Sequence, residues 1–395
     1  MAQQCEVLVV GGGGLQAQAM FEAASRAHDL SSWVAVDRAW RPARQAGVER
    51  FGVRTAICDI LVDPDGLREL VGSAKLVANF AGPFYRTGAA VLDACITTGT
   101  DYMDICDDAD ATLELLGRDD SARAAGICAL LGMGSSPGVT NVLVRAAVDA
   151  LGAADEVSIN WTVDVSDVGA AAAQHFWHIF ALVDGTGTRQ PVASWDRLSR
   201  RRVTFPDPLG DCTVLEFSHP EPITIPRFLP VDSVRNFGGI WPDDALFVSW
   251  ALARLGADGG SEISVDGATH LLPDVAEALY ERYRREREPT PYRGGGLVVD
   301  VRRGEDGYRF ASGDSTSMEE STGTPAAAGI LMLLRGEDLD SGVLAPECLQ
   351  PSQFFPTLGS VSRSTGSLAL HRLHDGELGE RIRIRDLITS VNHAR

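Results

Sequence analysis

The chain has 395 residues, 45% of them hydrophobic, which is enough for two or three domains with sizeable cores. Its net charge of −19 makes phosphate backbones and anionic membranes poor partners, and no apolar run approaches membrane-spanning length. The seven cysteines are scattered, with no C-x-x-C pair and no His spacing that suits zinc, and no basic-then-apolar leader opens the chain. These features predict a cytoplasmic protein with reduced thiols, no metal centre, and neither nucleic-acid nor membrane partners. Lys75 is the only lysine, so Schiff-base chemistry has almost no candidate.

The apolar run 7–10 feeds straight into Gly11, Gly12, Gly13 and Gly14, then Leu15 and Gln16, then an Ala-rich helical pattern from Ala17. A strand, a glycine turn and a helix in this order read as the first βα unit of a dinucleotide fold. Glycines let the backbone approach a pyrophosphate, whose charge meets the free N–H groups of the helix start. Counted from Gly12, the run satisfies G-x-G-x-x-A with Ala17 third. Counted from Gly11, the third position is Gln16, whose bulk would strain helix–strand packing, so the Gly12 register is favoured. A second strand over 32–37 ends in Asp37, about twenty residues on, where ribose hydroxyls would lie. An ionised Asp37 favours NAD, whereas Arg38, with Arg41 and Arg44 close behind, would favour NADP. NAD is expected, with NADP the alternative.

Strands over 53–57, 76–80, 102–105 and 127–131 alternate with helices over 65–71, 89–96 and 110–125. This alternation predicts an α/β fold, a Rossmann-like doubly wound parallel sheet. Asp59 and Ile60 follow its third strand. Asn79, Ala81, Gly82 and Pro83 close the fourth, at the crevice where a nicotinamide would run. Beyond residue 151 the texture changes. Strands over 156–165, 212–217, 297–303 and 308–313 and helices over 170–182 and 274–288 predict a second, mixed α+β domain. A further apolar helix over 325–334 would start at Thr324-Pro325 and end at Gly336. The expected division is a dinucleotide domain over 1–140, a substrate and dimerisation domain over 141–322, and a C-terminal segment over 361–395.

Several segments in order resemble the saccharopine dehydrogenase-like family, in particular saccharopine reductases and carboxynorspermidine dehydrogenases. They are Gly12 to Gln18, Asn79-Phe80-Ala81-Gly82-Pro83-Phe84, Gly99-Thr100-Asp101-Tyr102-Met103-Asp104, Ser136-Pro137-Gly138-Val139-Thr140-Asn141, Glu221-Pro222-Ile223-Thr224-Ile225-Pro226-Arg227 and Thr322-Gly323-Thr324-Pro325-Ala326. The resemblance implies adenine contacts at Asp59 and Ile60. It also implies that the segment 323–360 returns to the first domain, and that the substrate is an amine or amino-acid-like small molecule. Members that handle saccharopine usually carry an acidic residue before the Pro-Gly pair. Ser136 stands there in this chain, which argues against saccharopine itself.

Reducing an imine needs hydride on one side and a proton from a positioned acid on the other. The candidates are Tyr102 and Asp104 after the fifth strand, and His175 and His178, which share one face of the helix over 170–182 beside Gln174. Asp104 also suits a structural acceptor. Arg86 is placed to clamp a substrate carboxylate, with Arg227 and Arg235 as weaker bids, and Ser135, Ser136 and Asn141 offer hydrogen bonds. The sequence thus predicts a homodimeric nicotinamide-dependent oxidoreductase acting on a C–N bond. Reduction of a C=C or C=O bond on the same fold, or NAD binding without catalysis, are the alternatives.

Overall fold

Val7 and Val9 on strand β1 (Cys5–Val10) face one hydrophobic layer, Leu8 and Val10 face another, and all four are buried. A strand buried on both faces needs helices on both sides, which is the arrangement of a doubly wound sheet. In the computed structural model the described residues are 5–164, 170–184, 186–257, 259, 261–286, 294–336, 339–363 and 368–392. Strands β1, β2 (Val34–Asp37), β3 (Arg54–Ile57), β4 (Ala74–Asn79), β5 (Asp101–Asp104) and β6 (Cys128–Leu130) pair in parallel in the order 3-2-1-4-5-6. This is the Rossmann order, with the reversal point between β1 and β4.

The second sheet is built from β7 (Ala154–Asp164), β8 (Arg200–Phe205), β9 (Gly210–Glu216), β10 (Val231–Trp241), β13 (Gly295–Arg303) and β14 (Asp306–Asp314). A separate hairpin, β11 (Glu262–Val265) with β12 (Ala268–Leu271), stands apart from it. All its pairings are antiparallel except β7 with β10. One face packs on the helix Val139–Leu151 through Val157, Ile159, Val299 and Phe310. The chain then crosses back. The helix Met318–Leu334 lies against the first helix, Leu15–Ala24, and β15 (Gly342–Leu344) extends the parallel sheet beside β6. Finally β16 (Ala369–His374) and β17 (Glu377–Ile382) add to the second sheet beside β14. Within the stretch expected as a C-terminal segment, β16 thus satisfies the free edge of β14, and the helix Ile384–Asn392 follows β17.

Two helices differ from the sequence reading. The pattern over 110–125 is two helices, Ala109–Leu116 and Asp119–Ala125, since Gly117 ends the first. The helix expected from Thr324-Pro325 starts two turns earlier, where the Ser317 hydroxyl accepts from the Glu320 N–H at 3.2 Å. A side-chain cap at Ser317 outweighs the start signal of Pro325, which sits inside the helix. Among the described residues no helix is long and apolar enough to cross a membrane.

Candidate active site

The glycine run lies where β1 leaves the sheet. Gly11 alone of the four has a positive φ, +76°, and its N–H and that of Gly12 reach the Val36 carbonyl. The tight turn therefore falls on Gly11, and Gln16 occupies the third fingerprint position half-buried, contrary to the expected Gly12 register. The clash anticipated at Gln16 does not arise because the close packing sits elsewhere. A Cβ on Gly12 would lie 2.6 Å from the Ala35 Cβ, and one on Gly11 2.7 Å from the Ala81 nitrogen. The Gly13 N–H donates to Asp37 Oδ2 at 3.0 Å, which fixes the acid at the end of β2. Gly14 starts the first helix with no side-chain cap, and Leu15 is exposed at its first turn. A bare glycine cradle, uncapped helix N–H groups and an anchored carboxylate fit the pyrophosphate and ribose of a nicotinamide dinucleotide.

Other cofactor candidates sort by burial. Arg38 is exposed, and so is Asp59, whose side chain accepts from the Leu61 N–H at 3.2 Å. Ile60 is a core side chain. Asn79 is buried at the end of β4; its Oδ1 accepts from the Ala81 N–H at 3.0 Å and thereby shapes the Ala81-Gly82-Pro83 turn. Its amide donates to the Tyr102 hydroxyl, which donates to Asp104 Oδ2 at 2.9 Å. Asp104 Oδ1 accepts from the Gly132 and Cys106 N–H groups at 2.6 and 3.0 Å. Burial raises the Asp104 pKa to about 6 and the Tyr102 pKa well above its ordinary value, with the Asp104 charge adding to the latter. Both side chains are fully buried. They tie β4 and β5 to the turn after β6, the arrangement of a structural acceptor and its donor.

His175 and His178, on the helix Ala170–Ile179, meet the acidic run 107–110. His175 Nε2 lies 2.9 Å from Asp107 Oδ2, and Nδ1 lies 3.1 Å from Asp108 Oδ1. Burial works against its charge, but the two carboxylates outweigh it and hold the imidazolium well above its usual range. These three side chains bring their ligand atoms within 4.8 Å of one another. Both ring nitrogens are committed as donors to the carboxylates. His178 Nε2 sits 3.1 Å from Asp110, and its ring stacks on Tyr85 with centroids 4.2 Å apart. Tyr85, Arg86, Asp110, Glu114, His178 and Arg189 line a cleft of about 640 Å³. Arg86 is exposed there, with its guanidinium 5.6 Å from the Tyr85 ring. The Gln174 side chain lies outside the described residues.

Arg227 and Arg235, by contrast, are taken: Arg227 reaches Asp119 at 3.4 Å, and Arg235 forks onto Glu216. Ser135 is half-buried, and its carbonyl accepts from the Thr140 N–H. Asn141 is fully buried; it accepts from the Gly138 N–H at 2.9 Å and donates to Glu347 at 2.8 Å. Ser136 donates to Glu221 Oε1 at 2.5 Å. A carboxylate therefore lies beside position 136 although the residue there is a serine. Glu221 also accepts from Thr140 Oγ1 at 3.1 Å and meets His219 Nδ1 at 2.5 Å. Sequence reasoning missed Asp107, Asp108, Asp110, His219 and Glu221. The acids at 107–110 follow β5 at its carboxyl end, a positional signal that was there to use.

These parts define a class: an oxidoreductase that uses a nicotinamide dinucleotide. Comparison with known proteins agrees. Residues 7–130 match the family model described as the saccharopine dehydrogenase NADP binding domain. The chain is 24% identical to carboxyaminopropylagmatine dehydrogenase of Synechocystis over 394 residues, covering 90% of this chain and 96% of that one. It is 26% identical to carboxynorspermidine synthase of Vibrio cholerae over 341 residues, covering 76% and 79%. The fold is shared with apo saccharopine dehydrogenase (L-Glu forming) of Saccharomyces cerevisiae, at a TM-score of 0.62 and 14% identity, over 93% of this chain and all of that one. The protein is an NAD(P)-dependent oxidoreductase, similar along most of its length to these saccharopine dehydrogenase-like proteins.

Proposed function

We propose that the protein joins an amine to a carbonyl compound and reduces the resulting imine to a secondary amine, or runs the reverse. The observation that carries this reading is the His175 imidazolium held between Asp107 and Asp108 at the mouth of the parallel sheet. Two carboxylates against one imidazolium leave a net negative charge suited to a cationic amine. Arg86, on the rim of the cleft lined by Asp110 and His178, suits a carboxylate at the substrate's other end. Two relatives named for carboxylated polyamine-like products support the same chemistry.

When bound, the nicotinamide supplies or takes up hydride at the carbon of the C–N bond. His175 gives the proton that the product nitrogen takes up, and Asp107 and Asp108 hold the ring in place while it does so. His178, stacked on Tyr85 and paired with Asp110, shapes the cleft wall. Asp37, anchored by the Gly13 N–H, selects NAD over NADP by facing a 2′-phosphate with negative charge.

In this reading residues 1–140, rejoined by about 323–360, form the dinucleotide domain, and 141–322 with β16 and β17 form the substrate and dimerisation domain. The pairing of β15 with β6 and of β16 with β14 supports that division. Exposed Phe247, Leu255, Ile263, Leu271 and Leu279 within 243–286 supply apolar surface for a homodimer. A cytoplasmic location belongs to the same reading.

The test is oxidation of NADH and NADPH with a panel of amines paired with carboxylated carbonyl compounds, followed by mass spectrometry of the product. A secondary amine containing both partners is expected. His175→Asn should lower turnover on the order of 10²-fold. Turnover of carbonyl or C=C substrates without any amine, or dinucleotide binding with no turnover, would overturn the reading. Asp37→Ala should weaken NADH binding by roughly 1–3 kcal/mol and improve NADPH relatively. Wild-type protein binding NADPH tenfold more tightly than NADH would refute the NAD assignment.

A further inference from the structure

One buried pair has no part in the chemistry above. His219 is 3% exposed and Glu221 is fully buried, yet the two meet at 2.5 Å, and the acid takes two further hydrogen bonds, from Ser136 and Thr140. A core this polar has to be satisfied atom by atom, and the pattern fixes the protonation states. Burial alone would raise the pKa of Glu221, but His219, by its charge whenever the ring is protonated and by its hydrogen bond, together with the Ser136 hydroxyl, outweighs it and holds the acid below its ordinary range. It is therefore a carboxylate, so His219 Nδ1 must carry the proton it donates. Asn236 agrees. Its Oδ1 accepts from Trp161 Nε1 at 2.8 Å, which turns its amide nitrogen toward Ser136 Oγ and the ring, each 3.4 Å away. A protonated Nδ1 cannot accept from that amide, so the amide serves Ser136.

What remains is Nε2, which has no hydrogen-bond partner among the described residues. The ring itself is held from two sides, by Glu221 and by the Trp161 ring at 5.6 Å. It lies near enough to the acidic cluster that, when the ring is protonated, its charge acts on Asp107 together with that of His175. An imidazole with one nitrogen anchored on a carboxylate and the other left open is the arrangement that general acid–base chemistry uses to fix a tautomer.

We propose that His219 is the proton shuttle for the condensation that precedes reduction, with Glu221 as its positioning residue. The inference rests on the C–N reading above. A cationic amine cannot attack a carbonyl until it loses a proton. Nε2 takes that proton, freeing the nitrogen lone pair, and the neutral amine adds to the carbonyl to give a carbinolamine. The protonated ring then returns the proton to the carbinolamine hydroxyl. The C–O bond breaks, water leaves, and the nitrogen lone pair forms the C=N bond of an iminium. The imidazole ends neutral, as it began, and no oxidant or reductant is consumed. His175 acts afterwards, when the product nitrogen takes its proton, so the two histidines serve different steps.

The experiment compares wild type, His219→Asn and Glu221→Gln on the amine–carbonyl panel across pH, with and without added imidazole. In parallel, proton NMR of the wild-type protein observes the ring. His219→Asn should lose turnover on the order of 10²-fold, flatten the limb of the pH profile that the imidazole controls, and regain part of the rate with free imidazole. NADH affinity should hold. Glu221→Gln should lose less rate and should abolish the low-field Nδ1–H resonance, a readout independent of turnover. Unchanged turnover in His219→Asn, a loss that imidazole does not rescue, or no such resonance in the wild type would overturn the shuttle while leaving the C–N reading intact. Failure of the wild type on every amine–carbonyl pair would instead bring down that reading, and the shuttle with it.

Discussion

Tyr102 shows how a single buried contact separates framework from chemistry. Its hydroxyl is, among the described residues, the sole partner of Asp104 Oδ2 and takes the Asn79 amide on its other side. Tyr102→Phe strands a carboxylate oxygen and an amide in the core, and should cost about 1–3 kcal/mol of stability by urea unfolding with turnover per folded molecule unchanged. A specific loss of turnover would return Tyr102 to the list of proton donors. Glu347 carries a pH signature of its own. Burial first of all, then the nearby Glu221 charge, raises its pKa from 4.5 to about 7, and its Oε1 has no partner. Between those values the folded state keeps the proton while the unfolded chain ionises, so the stability this group lends below pH 4.5 declines as pH rises toward 7. Glu347→Gln cannot titrate and should remove that slope, on the order of 2–3 kcal/mol between pH 4.5 and 8. Equal slopes in both proteins would show that Glu347 titrates normally. The contrast with sequence reading is sharpest at Ser136. The residue looked like a lost acid, because the carboxylate beside it arrives from Glu221, 85 positions on. Local pattern reached the glycine run and Asp37, where the signal is contiguous, and could not reach a pair made by residues 85 positions apart.

Elements were legible where periodicity and punctuation coincide, and lost where a charged or glycine-bearing run hides a strand. β10 contains Asp232, Arg235, Gly238 and Gly239 and reads as a loop, yet it is the parallel partner of β7 along most of its length. Its glycines are there for space. A Cβ on Gly238 would lie 2.2 Å from the Trp161 ring that also holds His219. The helix Met318–Leu334 has a comparable contact, and one that links it to the cofactor. A Cβ at Gly323 would stand 2.6 Å from the Met20 nitrogen and 2.7 Å from the Gln16 carbonyl oxygen. Both are backbone atoms of the first helix, just past the glycine turn. Neither can move without tilting the helix that presents its N–H groups to the dinucleotide. Gly323→Ala should therefore cost about 1–3 kcal/mol by overpacking and weaken NADH binding in the same variant. Calorimetric melting and a fluorescence titration with NADH would check both. A stability loss with unchanged NADH affinity would mean that the helix yields away from the cofactor side.

Across the whole molecule, 54 acidic residues against 35 basic ones leave a field that acts on anything approaching the cleft. On the proposed chemistry that field is not uniform in its effect, because a cationic amine and an anionic dinucleotide carry opposite charge. A cationic amine is drawn toward Asp107, Asp108, Asp110 and Glu114, whereas the anionic dinucleotide reaches its glycine cradle against repulsion and depends on local N–H groups. Screening shortens the reach of both effects, to about 10 Å at 0.1 M salt. Raising ionic strength from about 0.01 to about 0.3 M should therefore lower kcat/KM for the amine by roughly three- to tenfold. The association rate of NADH, followed by stopped-flow fluorescence, should rise or stay level over the same range. The carbonyl partner, with its carboxylate steered only by Arg86 against the overall charge, should respond weakly. Opposite slopes for amine and dinucleotide would separate long-range steering from a general salt effect on the enzyme, which would move both the same way. A parallel fall in both would show that the acidic surface has no part in gathering the amine, and that recognition begins only at contact with Asp107 and its neighbours.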